Sequence, residues 1–179
     1  MKAMKRSIRP TVILAMICLI ATVILAGLNR LTTPVIAANE TETANAVYRA
    51  LLPEADSFTA LACGIDGVTA VMEADNGAGY VITAQSRGYG GQVPAAVAFS
   101  KDGAILGVTM MENSETPGLG QKVTEEAFSG QFAGRAAEAF AIEDIDAVTG
   151  ATISSKAAVA AINLAIQAYD EIGGNGNGQ

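Results

Sequence analysis

An uncharged, mostly apolar run of twenty residues, Pro10 to Asn29, constrains this chain more than any other stretch. As an α-helix that rises about 1.5 Å per residue it would span about 30 Å, the thickness of the hydrocarbon layer of a membrane. The apolar part of a cleaved signal peptide is usually shorter, about 7–15 residues. A transmembrane helix over residues 10–29 is therefore the favoured interpretation. A cleaved signal peptide stays open as the alternative, because Val35-Ile-Ala37 could pass for a small-residue cleavage site.

Charge is distributed unevenly along the chain. Residues 1–30 contain five basic residues and no acidic one, whereas the remainder contains six basic and eighteen acidic residues. The positive-inside rule then places residues 1–9 in the cytoplasm as a short tail and the acidic body outside the membrane. A body with this excess of acidic residues is not suited to neutralise the phosphates of a nucleic acid. We therefore expect an extracytoplasmic domain over residues 57–172 that binds no nucleic acid.

The chain contains no histidine and only two cysteines. The missing histidine excludes Ser-His-Asp triads and zinc or haem sites that depend on imidazole ligands. Cys18 lies in the predicted membrane span and Cys63 in the body, so the two cannot pair and a disulfide scaffold is excluded. Cys63 is expected to be a small buried apolar residue.

Residues 30–56 are predicted to form a juxtamembrane helix and a linker. We expect Thr32-Thr-Pro34 to break the helix that spans the membrane, because proline cannot donate an intrahelical hydrogen bond. The residues that follow have the apolar spacing of a separate amphipathic helix ended by Pro53. Its apolar face consists of Ala44, Val47, Tyr48, Leu51 and Leu52. We expect this face to pack on the chain's own domain rather than on a partner protein.

Short runs of apolar or alternating residues predict four β-strands. They are Val68–Ala74, Tyr80–Gln85, Pro94–Ser100 and Ala104–Met111. The last two flank Asp102-Gly103, and Asp-Gly between two apolar runs is a strong hairpin signal. The expected fold class is α+β: one N-terminal transmembrane helix, followed by a domain with a twisted, mainly antiparallel sheet flanked by helices.

Two helices are predicted after the strands. The first covers Val123–Phe132 and places Val123, Ala127 and Phe128 on one side. The second is rich in alanine and runs from about Ser155 to Ile172. Its apolar face consists of Ala158, Ile162, Ala165, Ile166 and Tyr169. Residues 173–179 contain mainly glycine and asparagine and are expected to form a flexible tail.

Three glycine-rich loops are candidates for the walls of a ligand site. They are Arg87–Gln92, Glu115–Gly120 and Thr149–Thr152. Each alone is typical of an ordinary turn, whereas three in one domain are more typical of a site where the backbone approaches a ligand.

Four hydroxyl side chains surround Gly150 close to the start of the last helix. They are Thr149, Thr152, Ser154 and Ser155. Hydroxyl residues at this place are typical of an N-cap. The start of a helix also carries free N–H groups and a partial positive charge, which suit an anion such as phosphate. Both interpretations remain open from residue types alone.

Three motifs, taken in this order, resemble the FMN-binding domain in the G subunit of the Rnf electron transport complex. The same domain occurs in the C subunit of the sodium-pumping NADH:quinone reductase. The motifs are Gly88-Tyr-Gly-Gly91, Glu115-Thr-Pro-Gly-Leu-Gly120 and Asp146-Ala-Val-Thr-Gly-Ala-Thr152. In that family the last hydroxyl of the third motif is joined to FMN by a phosphoester, which a dedicated flavin transferase makes. The resemblance therefore implies that Thr152 carries covalent FMN.

The resemblance also implies roles for the neighbours of Thr152. Gly150 and Ala151 belong to the same flavin-binding motif. Thr149 and Ser154 are expected to donate hydrogen bonds near the phosphate. Asp146 is interpreted either as a recognition residue for the transferase or as a carboxylate that orders the turn.

The loop that starts at Glu115 is expected to border the isoalloxazine ring of the flavin. Thr116 and Leu119 are the contacts that the resemblance implies, with Glu115 in the same cofactor-binding loop. The chain departs from the family pattern at Asn113, where members often have histidine. No residue is expected to act as a general base, because the flavin itself would transfer the electrons.

The function implied by the resemblance is that of an electron-transfer subunit in a membrane-bound, ion-translocating oxidoreductase of the ferredoxin:NAD type. Its expected partners are the other Rnf subunits, of types A, B, C, D and E, and the flavin transferase. The chain length and the N-terminal anchor favour the Rnf protein over its longer counterpart in the quinone reductase. That counterpart and a membrane-anchored binding module without a redox group remain the alternatives.

Overall fold

The computed structural model describes residues 2–173, and it describes side chains over residues 10–30 and 42–173. The described residues fall into two compact units that divide between Asn45 and Ala46. Of the predicted flexible tail over residues 173–179, all but Gly173 lies outside the described residues.

The first unit is helical. Helix α1 extends from Lys2 to Leu51. Its segment Pro10–Arg30 has a mean hydropathy of 2.8 and is the one part of the described chain that is long and apolar enough to cross a membrane. The large apolar side chains of this segment are at least half exposed, as a span that faces lipid requires.

The predicted helix break at Thr32-Thr-Pro34 is wrong, because α1 continues through these residues without interruption. A proline inside a helix removes one intrahelical hydrogen bond and is unfavourable by about 3 kcal/mol, a cost that neighbours with a high helix propensity can offset. Here the following residues 37–49 include four alanines and two glutamates, which favour a helix. The predicted amphipathic helix is therefore the end of α1 and not a separate element.

The second unit is built on a five-stranded sheet. Its strands are β1 (Phe58–Leu61), β2 (Val68–Ala74), β3 (Tyr80–Arg87), β4 (Gln92–Phe99) and β5 (Ile105–Met110). Neighbours in the sheet are also neighbours in the chain, and every pair is antiparallel. The four predicted strands and the hairpin at Asp102-Gly103 are confirmed, with ends that differ by at most two residues. Strand β1 was not predicted, because its four residues show no alternation of apolar and polar types.

Helix α3 (Thr152–Glu171) covers one face of the sheet. The sheet register places Ile82, Val97 and Val108 side by side in the apolar core that this face shares with α3. The Tyr169 ring stacks on Phe99 with 4.6 Å between the ring centroids. The predicted apolar face of α3 is confirmed, since all five of its residues are buried.

The C-terminal end of α1 contacts the opposite face of the sheet. The Tyr48 hydroxyl lies 3.2 Å from the Thr83 hydroxyl, and both residues are buried. Leu51 Cδ2 would lie 3.1 Å from a Cβ placed on Gly107, so glycine makes room for it there. Leu52 is also buried. The prediction that this apolar face packs on its own domain is confirmed.

The segment between the sheet and α3 consists of short turns. Gly120–Thr124 and Gly130–Phe132 are 3₁₀ turns, and α2 covers only Glu126–Ser129. The predicted continuous helix over 123–132 is therefore wrong, and Ala127 is exposed although Val123 and Phe128 are buried. The tight turns follow from packing of the Phe132 ring between Phe128 and Phe140, with centroid distances of 5.8 and 5.1 Å.

Candidate functional site

The first two glycine-rich loops and the first turn of α3 meet at one buried carboxylate, that of Glu115. This residue is 2% exposed. The N–H of Gly90, in the loop between β3 and β4, donates to Glu115 Oε1 over 2.8 Å. The hydroxyl of Ser154, in the first turn of α3, donates to Glu115 Oε2. One side chain therefore links three segments that are far apart in the sequence.

Burial alone would raise the pKa of Glu115, because it disfavours the charged form. Hydrogen bonds from Ser154 and from the backbone N–H groups of Gly90, Gly91 and Tyr89 outweigh burial and hold the pKa below its usual value. The start of a helix also favours a nearby negative charge. Glu115 is therefore ionised at neutral pH.

The glycines of the first two loops make room for this carboxylate and for close backbone packing. A Cβ on Gly88 would lie 2.5 Å from Glu115 Oε1. A Cβ on Gly120 would lie 2.8 Å from the Ser154 hydroxyl, and one on Gly90 would lie 2.1 Å from the carbonyl oxygen of Ser114. These glycines were interpreted as positions where the backbone approaches a ligand. Their immediate neighbours are protein atoms instead.

A cleft of about 420 Å³ opens beside this junction. Its walls consist of Tyr89, Thr116, Leu119, Gly120, Gly150, Ala151, Thr152, Ile153 and Ser154. Six of the eight predicted cofactor-binding residues are among them. The other two, Glu115 and Thr149, do not line it: Glu115 lies behind the wall, and Thr149 is an exposed loop residue.

Thr152 is the first residue of α3, and its side chain is exposed in the cleft. The N-cap residue is Ala151, with no side-chain capping bond, so the interpretation of the hydroxyl cluster as an N-cap is wrong. The first backbone bond of the helix joins the Ser155 N–H to the Ala151 carbonyl over 2.9 Å. The N–H groups of Thr152, Ile153 and Ser154 precede that bond, so they have no carbonyl within the helix to pair with.

Gly150 turns the chain into α3. Its φ of +81° lies in the left-handed region, which other residues rarely adopt. A Cβ there would also lie 3.2 Å from Leu119 Cδ1. The Ser155 hydroxyl fixes the same turn, since it donates to the Ala151 carbonyl over 3.1 Å and accepts from the Val148 N–H over 3.0 Å.

Apolar side chains are unusually exposed around the cleft. Tyr89, Leu119 and Ile153 are 72%, 42% and 55% exposed. Among the described residues from 46 onward, Leu106 is the one other large apolar side chain with comparable exposure. Sequence reasoning missed Ile153, because the helix was expected to begin at Ser155 instead of Thr152. An exposed apolar rim beside free N–H groups fits a ligand with a flat aromatic part and an anionic part.

Comparisons with known proteins agree with this geometry. The family model described as FMN-binding domain matches residues 88–167, and the RnfG N-terminal region matches residues 1–51. The chain is 32% identical to the G subunit of the proton-translocating ferredoxin:NAD(+) oxidoreductase complex of Clostridium ljungdahlii, over 86% of each chain. It is 30% identical to the G subunit of the Na(+)-translocating ferredoxin:NAD(+) oxidoreductase complex of Acetobacterium woodii, over 89% of this chain and 90% of that protein. The chain belongs to the RnfG family.

The two matches of this RnfG chain coincide with its structural parts. The RnfG N-terminal region ends at Leu51, the last residue of α1. The FMN-binding domain includes the three motifs at 88–91, 115–120 and 146–152 and most of α3. A solved structure, the C subunit of the Na(+)-translocating NADH-quinone reductase from Parabacteroides distasonis, matches with a TM-score of 0.48 and 21% identity over 58% of this chain and 60% of that chain.

Hydrogen bonds to the backbone order both the third motif, at Asp146, and the start of the second motif, at Glu115. The Gln131 side chain binds the backbone of Asp146 by two hydrogen bonds. Its Oε1 accepts the Asp146 N–H over 2.7 Å, and its Nε2 donates to the Asp146 carbonyl over 3.2 Å. The Asp146 side chain is exposed. Asn113, at the place where the family often has histidine, accepts the Glu115 N–H on its Oδ1 over 3.1 Å. It therefore orders the start of the Glu115 loop.

Proposed function

We propose that this chain carries FMN covalently on Thr152 and transfers electrons as the RnfG component of an ion-translocating ferredoxin:NAD oxidoreductase complex. The observation that supports this most is the position of Thr152. Its hydroxyl lies in the cleft at the first residue of α3, next to N–H groups that have no helical partner. The residues around the cleft therefore suit both ends of FMN.

The start of α3 would hold the phosphate. The N–H groups of Thr152, Ile153 and Ser154 supply donors, and the helix dipole favours a negative charge at this end. The Ser154 hydroxyl itself is already bonded to Glu115, so we assign the phosphate to the backbone donors.

The exposed apolar rim would hold the isoalloxazine ring. Tyr89, Leu119 and Ile153 surround the cleft from its three segments, and Thr116 adds a hydroxyl to the same wall. Bound FMN supplies the electron transfer, while these residues orient the ring and reduce its contact with water.

Attachment requires an activated donor, because condensation of free FMN with an alcohol is unfavourable in water. We propose a flavin dinucleotide. The Thr152 oxygen forms a bond to the phosphorus next to the flavin, and the pyrophosphate P–O bond breaks. The nucleoside monophosphate leaves with the bonding electron pair, and the hydroxyl proton passes to water. A flavin transferase catalyses this step, and the exposed Asp146 is available for its recognition.

Segment Pro10–Arg30 would anchor the protein in the membrane, with the N-terminus in the cytoplasm and the FMN domain outside. The other proteins of the complex would donate and accept the electrons. The two relatives named above are subunits of complexes named for different ions, so the similarity to them does not select protons or sodium for this chain.

Substitution of Thr152 tests the attachment site. After co-expression with a flavin transferase, the wild type should show flavin fluorescence that survives denaturing electrophoresis. Mass spectrometry should find one FMN on the proteolytic peptide that contains Thr152. Thr152→Ala should abolish both signals, and Thr152→Ser should keep them because it retains a hydroxyl.

The control is Thr124→Ala, an exposed threonine outside the cleft, which should take up flavin like the wild type. Fluorescence of wild-type strength in Thr152→Ala would place the bond on another residue. A wild type that stays colourless beside a working transferase would contradict the proposed function as a whole.

A further inference from the structure

The Glu115 carboxylate is a buried charge that has no role in the proposed electron transfer. A carboxylate in such a place is disfavoured unless hydrogen bonds replace its lost water. Both of its oxygens receive them: from the Gly90 N–H, 25 residues away in the sequence, and from the Ser154 hydroxyl, 39 residues away. We refer to Glu115, Gly90 and Ser154 as the carboxylate latch.

Each member of the latch is a direct neighbour in the chain of a side chain that lines the cleft. Gly90 follows Tyr89, Glu115 precedes Thr116, and Ser154 follows Ile153. A change in one of these bonds therefore moves a wall of the cleft. Thr152 itself lies two residues from Ser154 in the same helical turn.

The latch also leaves the helix start free for an anion. Its donors to Glu115 are the Ser154 hydroxyl and the backbone N–H groups of the loop at 89–91. The backbone N–H groups of Thr152 and Ile153 are not among them. The Glu115 carboxylate thus fixes the first turn of α3 without occupying the backbone N–H groups of Thr152 and Ile153 that a phosphate would use.

We propose that Glu115 is a positioning residue that assembles the three walls of the cleft before the flavin arrives, and so makes Thr152 a competent acceptor. This inference rests on the proposed function, because it concerns the same attachment. Without the latch, only a fraction of the folded molecules would have the three walls of the cleft assembled. The apparent affinity of the transferase for this protein would then be its affinity for the assembled form multiplied by that fraction.

The test uses the full-length apo protein in detergent, purified transferase and flavin adenine dinucleotide. Glu115→Gln keeps the shape but removes the charge, and Ser154→Ala removes one latch hydrogen bond without adding bulk. Each should raise the KM for the acceptor protein about tenfold and leave kcat within about twofold, as loss of one hydrogen bond to a charged group predicts. The control is Glu112→Gln, an exposed glutamate three residues upstream, with wild-type kinetics.

Hydrogen exchange of the apo proteins supplies a second readout that needs no flavin. Both latch variants should exchange faster at residues 88–91 and 150–154, with the strands and the rest of α3 as protected as in the wild type. If Glu115→Gln fails to fold, Ser154→Ala decides the question by the same two measurements.

Wild-type kinetics together with unchanged exchange in folded latch variants would overturn the positioning role, and so would a uniform rise in exchange over the whole domain. Failure of the proposed function has a different signature: the wild type itself would accept no flavin, while the exchange measurement would still report on the latch.

Discussion

At the scale of single residues, the buried carboxylate of Glu115 joins the loop between β3 and β4 to the first turn of α3, through hydrogen bonds from Gly90 and Ser154. Thr152, Gly150 and Leu119 were found from the family motifs and lie in the cleft. Glu115 was expected to be one of the cofactor-binding residues, in the loop that borders the flavin ring, and it lies behind the wall of the cleft. Sequence alone could not show this, because glutamate is mostly exposed in proteins and its burial here depends on donors from two distant loops.

The lowered pKa of Glu115 makes its contribution to stability depend on pH. Because the folded pKa lies below the unfolded one, of about 4.3, the contribution is complete above that value and is lost as the pH falls through the folded pKa. At pH 7 we expect Glu115→Gln to lower the free energy of unfolding by about 1–3 kcal/mol. Urea unfolding measures the difference.

As the pH falls below the unfolded value and through the folded pKa of Glu115, the difference between wild type and Glu115→Gln should shrink, since the wild type then loses the charge as well. The pKa of Asp75 is also lowered, by hydrogen bonds from Ser57 and Thr59, but both proteins contain that carboxyl and it cancels in the comparison. A difference that stays constant over the whole acid titration of the wild type would show that the charge of Glu115 does not stabilise the fold.

At the scale of elements, local sequence patterns predicted strands β2 to β5 and the last helix. They did not predict where the helices begin and end. The alternation in β2 to β5 and the apolar face of α3 were sufficient to predict these elements. The start of α3 was placed too late, because Thr152 and Ser154 are poor interior helix residues and favour a cap. Their place in the first turn depends on the sharp turn at Gly150 and on the bond from Ser154 to Glu115.

The loop between β3 and β4 should tolerate no side chain at Gly90. A Cβ there would meet the Ser114 carbonyl oxygen at 2.1 Å, so the backbone of one loop must move. We expect Gly90→Ala to lower the free energy of unfolding by about 1–3 kcal/mol, the usual cost of overpacking. Thermal unfolding of the purified variant provides the measurement.

Gly64→Ala is the matched control, because a Cβ at Gly64 has no atom within 4 Å. It should leave the unfolding temperature nearly unchanged. Equal effects of the two substitutions would mean that the cost comes from glycine's backbone freedom and not from contact between the loops.

At the scale of the whole molecule, the second unit begins at Ala46, well before its first strand. The sequence predicted that Tyr48, Leu51 and Leu52 would pack on the domain. It did not predict that they belong to the same helix as the apolar span, since the effect of one proline on a long helix depends on all its neighbours. The sheet therefore has a helix on each face.

Tyr48 should be needed for the stability of the second unit. It is 5% exposed, bonds to Thr83 and contacts the Phe58 ring edge-on at 6.0 Å. Tyr48→Ala should lower the free energy of unfolding of this unit by about 3–5 kcal/mol, as for other large buried aromatic residues. Chemical unfolding followed by circular dichroism, with the exposed neighbour Arg49→Ala as control, tests this. Similar stabilities of the two variants would contradict it.

The contact of α1 with the sheet determines where a protease can release the domain intact. Tyr48 and Leu51 cover the face of the sheet opposite α3. Their contacts lie beside Val81, Thr83 and Ala98 in the paired strands. Cleavage between Arg30 and Ala46, for example after Ala37, would remove the apolar span and leave a fragment with both sheet faces covered. Cleavage a few residues later, between Leu52 and Phe58, would remove the end of α1 and expose the apolar sheet face that it covers. That fragment would aggregate.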